Sequence, residues 1–218
     1  MYRFSWNKIP HRHHTQLFVT LIALFIVSPL VSRSKLGQIV IAAFFFIALA
    51  VGIRPFCPSS KKFARLVMLM AIGLGLQILN AFDILNNIAV DFSTAGIIIY
   101  CVFILFATGL IFRQVITDEF VTGDTIIGGI CIYLLIGFLW GLFYSLAARF
   151  DSQAFNQTNF DTMYFSFTTL TTLGYGDISP TNALTRMLTN LEAIIGQMYP
   201  AIFIARLVSL YISPNQRS

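Results

Sequence analysis

Six apolar runs recur along this 218-residue chain: Thr15–Val31, Leu36–Ile53, Phe63–Phe82, Thr94–Phe112, Ile126–Ala148 and Ala183–Ile212. A bilayer core about 30 Å thick needs about 20 apolar helical residues to cross it, and it holds no water for free backbone groups. The runs therefore predict membrane-spanning helices. Charged residues make up 11% of the chain, against about 25% in soluble domains. Spans and short links consume almost everything, which leaves no room for a separate soluble domain. The net charge of +5 is spread over the links, so it reads as topology and not as affinity for nucleic acid. Cys57, Cys101 and Cys131 are odd in number and support neither a disulfide framework nor metal spacing.

Between the fifth and sixth runs lies Thr168-Thr169-Leu170-Thr171-Thr172-Leu173-Gly174-Tyr175-Gly176-Asp177. Glycine accepts φ > 0 without steric cost, so Gly174 and Gly176 let successive backbone carbonyls point the same way. A row of carbonyls aimed at one axis is what a dehydrated cation needs, because taking a small ion into a low-dielectric medium costs on the order of 20 kcal/mol. A short helix, Phe160–Thr172, precedes the turn. Its C-terminal end carries the negative pole of the helix dipole, which favours a cation.

Thr172-Leu173-Gly174-Tyr175-Gly176-Asp177 resembles the selectivity filter of potassium channels of the pore-loop superfamily, with Leu173 in the place of that family's valine. Tyr164-Phe165-Ser166-Phe167 resembles the family's pore helix with its aromatic cuff, and Ile178-Ser179-Pro180 its exit turn. Leu191-Glu192-Ala193-Ile194-Ile195-Gly196-Gln197 is similar to the inner helix of prokaryotic members. The resemblance implies that the carbonyls of Thr172, Leu173, Gly174 and Tyr175, with the Thr172 hydroxyl, hold K+. It implies that Gly176 and Asp177 brace the filter and that the Tyr175 ring packs on Tyr164 and Phe165. It implies no cofactor beyond potassium ions in the filter. One filter per chain surrounds an axis with too few oxygens, so three further copies in cyclic symmetry are expected.

The expected architecture is all-α, with six transmembrane helices and a re-entrant pore helix and filter, assembled as a homotetramer in the lipid bilayer. Residues 1–14 form a cytoplasmic lead segment, 15–121 a four-helix membrane module, and 122–218 the pore domain. Thr15–Val31 is read as a retained helix, not a cleaved signal peptide. With the N-terminus in the cytoplasm, Arg33, Lys35, Arg149 and Arg186 fall outside and the other ten of the fourteen basic residues fall inside. That bias follows the positive-inside rule and puts the pore loop on the outer face, with both termini cytoplasmic. The inner-helix pattern favours a prokaryotic plasma membrane.

Glu192 is the acid inside a span, so it must face protein or water. Hydroxyls behind the filter, such as Ser166 or Thr169, are its expected partners. Pro200 lacks an N–H and leaves the carbonyl of Gly196 without its helical partner, which marks one turn as a kink. The segment below it, including Ile204 and Val208, is expected to swing as a gate, with the filter built elsewhere. Asp124 is placed to cap a helix. Gly73 and Gly75 permit close helix approach. The fourth run carries no lysine or arginine from Phe92 to Phe112, whereas voltage sensing needs about three to four gating charges per subunit. His11, His13 and His14 form a cluster in the lead segment that could bind metal or sense pH, although a solvated juxtamembrane stretch explains it as well. Two rival readings keep the same residues. One is a non-conducting or accessory subunit. The other is an intramembrane aspartyl protease of the G-x-G-D type, which needs a second aspartate to share a proton with Asp177; the nearest are Asp151 and Asp161.

Overall fold

The computed structural model describes residues 13–31, 35–54, 60–82, 92–117, 121–158 and 160–212. The lead residues up to Arg12, the link at 32–34, Cys57, the acidic loop 83–91, Asp118, Glu119 and Arg217 lie outside them. The described residues form helices α1 (His13–Val31), α2 (Lys35–Ile53), α3 (Ser60–Ala81), α4 (Phe92–Thr117), α5 (Gly123–Phe150), α6 (Thr162–Leu170) and α7 (Ala183–Ile212). Three helical stretches, Thr94–Thr117, Gly123–Phe150 and Ala183–Leu210, are long and apolar enough to cross a membrane. Those in α1, α2 and α3 are shorter.

Each of the first four helices packs on its chain neighbour, and α1 and α4 both pack on α5. Leu17, Leu21, Leu49, Phe103, Ile104, Ile132 and Leu135 form the sealed centre of this packing. Among the glycines of α3, Gly73 makes the close approach, since a Cβ there would sit 3.0 Å from Ile99 of α4. Gly75 faces open space and has no such role. α6 packs between α5 and α7, while α7 touches little besides those two.

Two local expectations need correction. Thr122, not Asp124, caps α5: its hydroxyl accepts the Thr125 N–H at 3.1 Å, and Asp124 sits inside the first turn. A threonine just outside the helix can fold its oxygen back onto the free N–H groups, as an N-cap must. His14 is not part of a solvated lead; it lies in α1, buried against α5, with Nε2 3.9 Å from an Asp124 carboxylate oxygen. Among the described residues no cluster of metal-ligating side chains occurs.

Candidate pore loop and its supports

α6, Thr162–Leu170, is shorter at both ends than the expected Phe160–Thr172. Asp161 caps it, accepting the N–H groups of Met163 and Tyr164 with one carboxylate oxygen. At the other end the chain leaves the helix at Thr171, and Thr172 takes a left-handed φ of 58°. A β-branched residue in that region stores strain of about 1–3 kcal/mol. The N–H groups of Leu173 and Gly174 both turn back onto the Thr168 carbonyl, at 2.8 and 3.1 Å. Gly174 and Gly176 follow with φ of 51° and 79°. Positive φ thus falls on every second residue from 172 to 176, and Leu173 and Tyr175 between them stay on the ordinary side. Reading the glycines alone finds two of these three positions; a threonine gives no sequence signal for φ > 0. Residues 171–177 are all exposed on the single chain.

The supports come from three directions. On one side Tyr164 donates its hydroxyl to the Asp177 carboxylate at 3.0 Å, and its ring stacks on Tyr175 with centroids 6.5 Å apart. Phe165 does not join that stack. It turns inward to Tyr144, Phe155 and Phe160, in a cluster with Trp140 and Ile178. One helical residue apart, the two rings diverge by about 100° around the helix axis, so a single residue cannot stack on both.

The segment between α5 and α6 clamps the exit turn. Asn156 donates its amide to the Asp177 carbonyl and accepts the Ser179 N–H, while Gln157 donates to the same Asp177 carbonyl at 2.9 Å. The bridge Phe155–Pro180 and the hydroxyl of Thr181 on the Gln153 carbonyl close the clamp. Asp151 holds its base, accepting from Gln153 N–H at 2.9 Å and from the Asn182 amide at 2.7 Å. These bonds hold the Asp151 carboxyl below its ordinary range, the Asn182 amide first. The carboxylates of Asp151 and Asp161, the two partners considered for a protease dyad, are thus both engaged in local hydrogen bonds.

From behind, α7 supplies Glu192, fully buried. One oxygen accepts the Ser166 hydroxyl at 2.5 Å and the other the Tyr144 hydroxyl at 2.6 Å. Ser166 also lies 2.7 Å from the Gly137 carbonyl, so α5, α6 and α7 meet at one point. Ser166 was expected; Tyr144 of α5 was not, and Thr169 makes no bond to the carboxyl. Gln197, one turn and a half on, donates to the Thr172 hydroxyl at 3.1 Å, and Tyr133 donates to the Leu170 carbonyl at 3.2 Å. A polar residue within an apolar run was the available signal for both.

Gly196 is tied to the same place. A Cβ there would collide with the Leu170 carbonyl, lying 2.8 Å even from its carbon. α7 thus reaches the last carbonyl of α6, next to the segment expected to form the filter, only because residue 196 has no side chain. Below it, Tyr199 donates to the Gly129 carbonyl at 2.8 Å and Arg206 to the Ile116 carbonyl, which ties lower α7 to α5 and α4. Pro200 lies within the unbroken α7, and Ile204 and Val208 are exposed.

Residues 121–213 match the family model described as Ion channel. A curated relative, the Two pore potassium channel a of Oryza sativa subsp. japonica, is 31% identical over 85 residues, which is 39% of this chain and 24% of the relative. The chain thus spans about a quarter of that relative's length. No solved structure matches. The likeness to ion channels is carried by the part of the chain from α5 to α7, and both comparisons point to a channel and not to an enzyme.

Proposed function

We propose that the chain is a potassium-selective channel subunit that passes K+ passively through a homotetrameric pore. The observation that carries this reading is the alternation of φ at Thr172, Gly174 and Gly176. Alternating left- and right-handed residues rotate successive peptide planes so that their carbonyls gather on one side of the ribbon. The oxygens of Thr172, Leu173, Gly174 and Tyr175 then form a ladder for a dehydrated cation, and four copies around an axis complete each ring. The exposure of 171–177 and of Leu191, Ile194, Met198 and Ile202 on one chain supports partner copies and lipid as their cover. Six crossings, with α1 to α3 spanning beside the three longer helices, put both termini in the cytoplasm and the pore loop outside. A prokaryotic plasma membrane fits the inner-helix pattern.

The test is ion flux from vesicles holding the purified protein. The parent is expected to carry K+ in preference to Na+. Gly174→Ala and Gly176→Ala, each forcing a side chain to φ > 0 at about 1–2 kcal/mol, should abolish that flux while the oligomer still forms. Variants that kept the parental preference would sink the filter reading, and a silent parent would favour an accessory subunit.

A further inference from the structure

Where six of the seven described helices converge lies a cavity of about 190 Å³, lined among others by Leu24, Phe45, Gln77, Tyr100, Phe138 and Met163. It is larger than the cavity of about 150 Å³ that stays dry in an apolar core and admits benzene. Its walls are nearly all apolar, with Gln77 and Tyr100 the two polar liners. Water needs two to four polar partners to settle in such a space, which this lining barely offers. No charged side chain lines it, so an ion would be left unpaired there. Yet one polar group is waiting. Tyr100 is 3% exposed, and its buried hydroxyl has no hydrogen-bond partner, a state that is unfavourable until something reaches it. Phe45 and Phe138 meet at 5.4 Å with their rings tilted by 60°, an arrangement that presents aromatic edges and faces to a third ring.

We propose that this cavity is a binding site for a small neutral aromatic molecule carrying one hydrogen-bonding oxygen. Its ring packs among Leu24, Phe45 and Phe138, and its oxygen pairs with the Tyr100 hydroxyl. Met163, another lining residue, belongs to α6, so the site backs directly onto the helix that leads into residues 171–177. The inference is independent of which ion the chain conducts.

The experiment uses the full chain in detergent micelles, labelled with 13C at the methionine methyls, and titrated with benzyl alcohol and separately with toluene. Both probes should shift the Met163 methyl along a saturating curve. Tyr100→Phe, which keeps the ring, should weaken benzyl alcohol by about five- to tenfold, the loss expected for one net hydrogen bond, and leave toluene unchanged. Ala42→Leu, which fills the cavity from α2, should abolish the saturable response to both. The proposal is overturned if Met163 shifts without saturation and in parallel with Met68 and Met198, which are 66% and 53% exposed, since that is mere partitioning. It is equally overturned if Tyr100→Phe leaves the preference for the alcohol untouched. Magnetisation transfer from detergent chains to Met163 that neither probe displaces would also overturn it, assigning the cavity to an acyl chain.

Discussion

Replacing Glu192 separates hydrogen bonding from charge at the point where three helices meet. Glu192→Ala strips the carboxylate from Tyr144, whose enclosed hydroxyl is left with the Thr189 side chain as its remaining contact. Ser166 keeps the Gly137 carbonyl at 2.7 Å and is not orphaned. Losing the buried Tyr144 hydrogen bond costs about 1–3 kcal/mol. The void left by the missing side chain adds about 2 kcal/mol, at the low end of what large-to-alanine changes cost in a core. The total is about 3–5 kcal/mol per chain, or about 6–20 °C in midpoint at about 2–4 °C per kcal/mol for this size. Glu192→Gln has the same shape. Its amide oxygen can accept from Tyr144 while its NH2 donates to Ser166, whose own proton then turns to the Gly137 carbonyl. It should therefore lose less than about 1 kcal/mol. Trp140, buried 6.0 Å from the Tyr144 ring, reports the loss of this packing through its fluorescence during thermal unfolding in detergent. If glutamine were as damaging as alanine, the contacts would not be what holds the site and the reasoning would fail. If alanine were silent, the buried network would carry no stability at all.

Three further outcomes are expected. On the proposed function, Gly196→Ala should alter the K+ to Na+ permeability ratio as well as open probability, because its Cβ meets the Leu170 carbonyl; Pro200→Ala, which restores a helical bond, should change open probability and leave that ratio intact. Single-channel recording reads both quantities, and a Pro200→Ala channel with altered ratio and unaltered opening would remove the hinge. α4 carries one basic residue, Arg113, so open probability in planar bilayers should vary only weakly over about ±100 mV, against the steep curve that several gating charges produce. The Asp151 carboxyl is held below its ordinary range when folded, so its contribution is present above the unfolded value and is lost as pH falls through the lowered one. Asp151→Asn should flatten that acid limb in a stability-against-pH profile, and an unchanged limb would show that the Asn182 contact does not contribute.

What could be read from the sequence was whatever one residue type does alone. A run of apolar residues is a helix in lipid regardless of its neighbours, and α7 runs from Ala183 to Ile212 as its apolar pattern requires. A glycine permits φ > 0 wherever it stands, and Gly174 and Gly176 use it. What stayed hidden depends on pairs. Thr172 takes a left-handed φ that its own chemistry resists, because Gln197 holds its hydroxyl and the Thr168 and Thr169 carbonyls gather the N–H groups around it. Tyr144 looks like one more aromatic in an apolar run until α7 brings a carboxyl to its hydroxyl. Gly196 is the sharpest case. A glycine four residues before a proline suggests flexibility, since that is what each contributes alone. Packed in place, the same glycine is a contact: the absence of a side chain lets α7 touch the last carbonyl of α6. The two roles need not exclude one another. A bend at Pro200, if the hinge proposal holds, would act on a helix pressed against α6 at Gly196 and bonded to Thr172 by Gln197. Movement of the lower half can therefore reach the 171–177 segment through backbone contact and one hydrogen bond, with no further element between them.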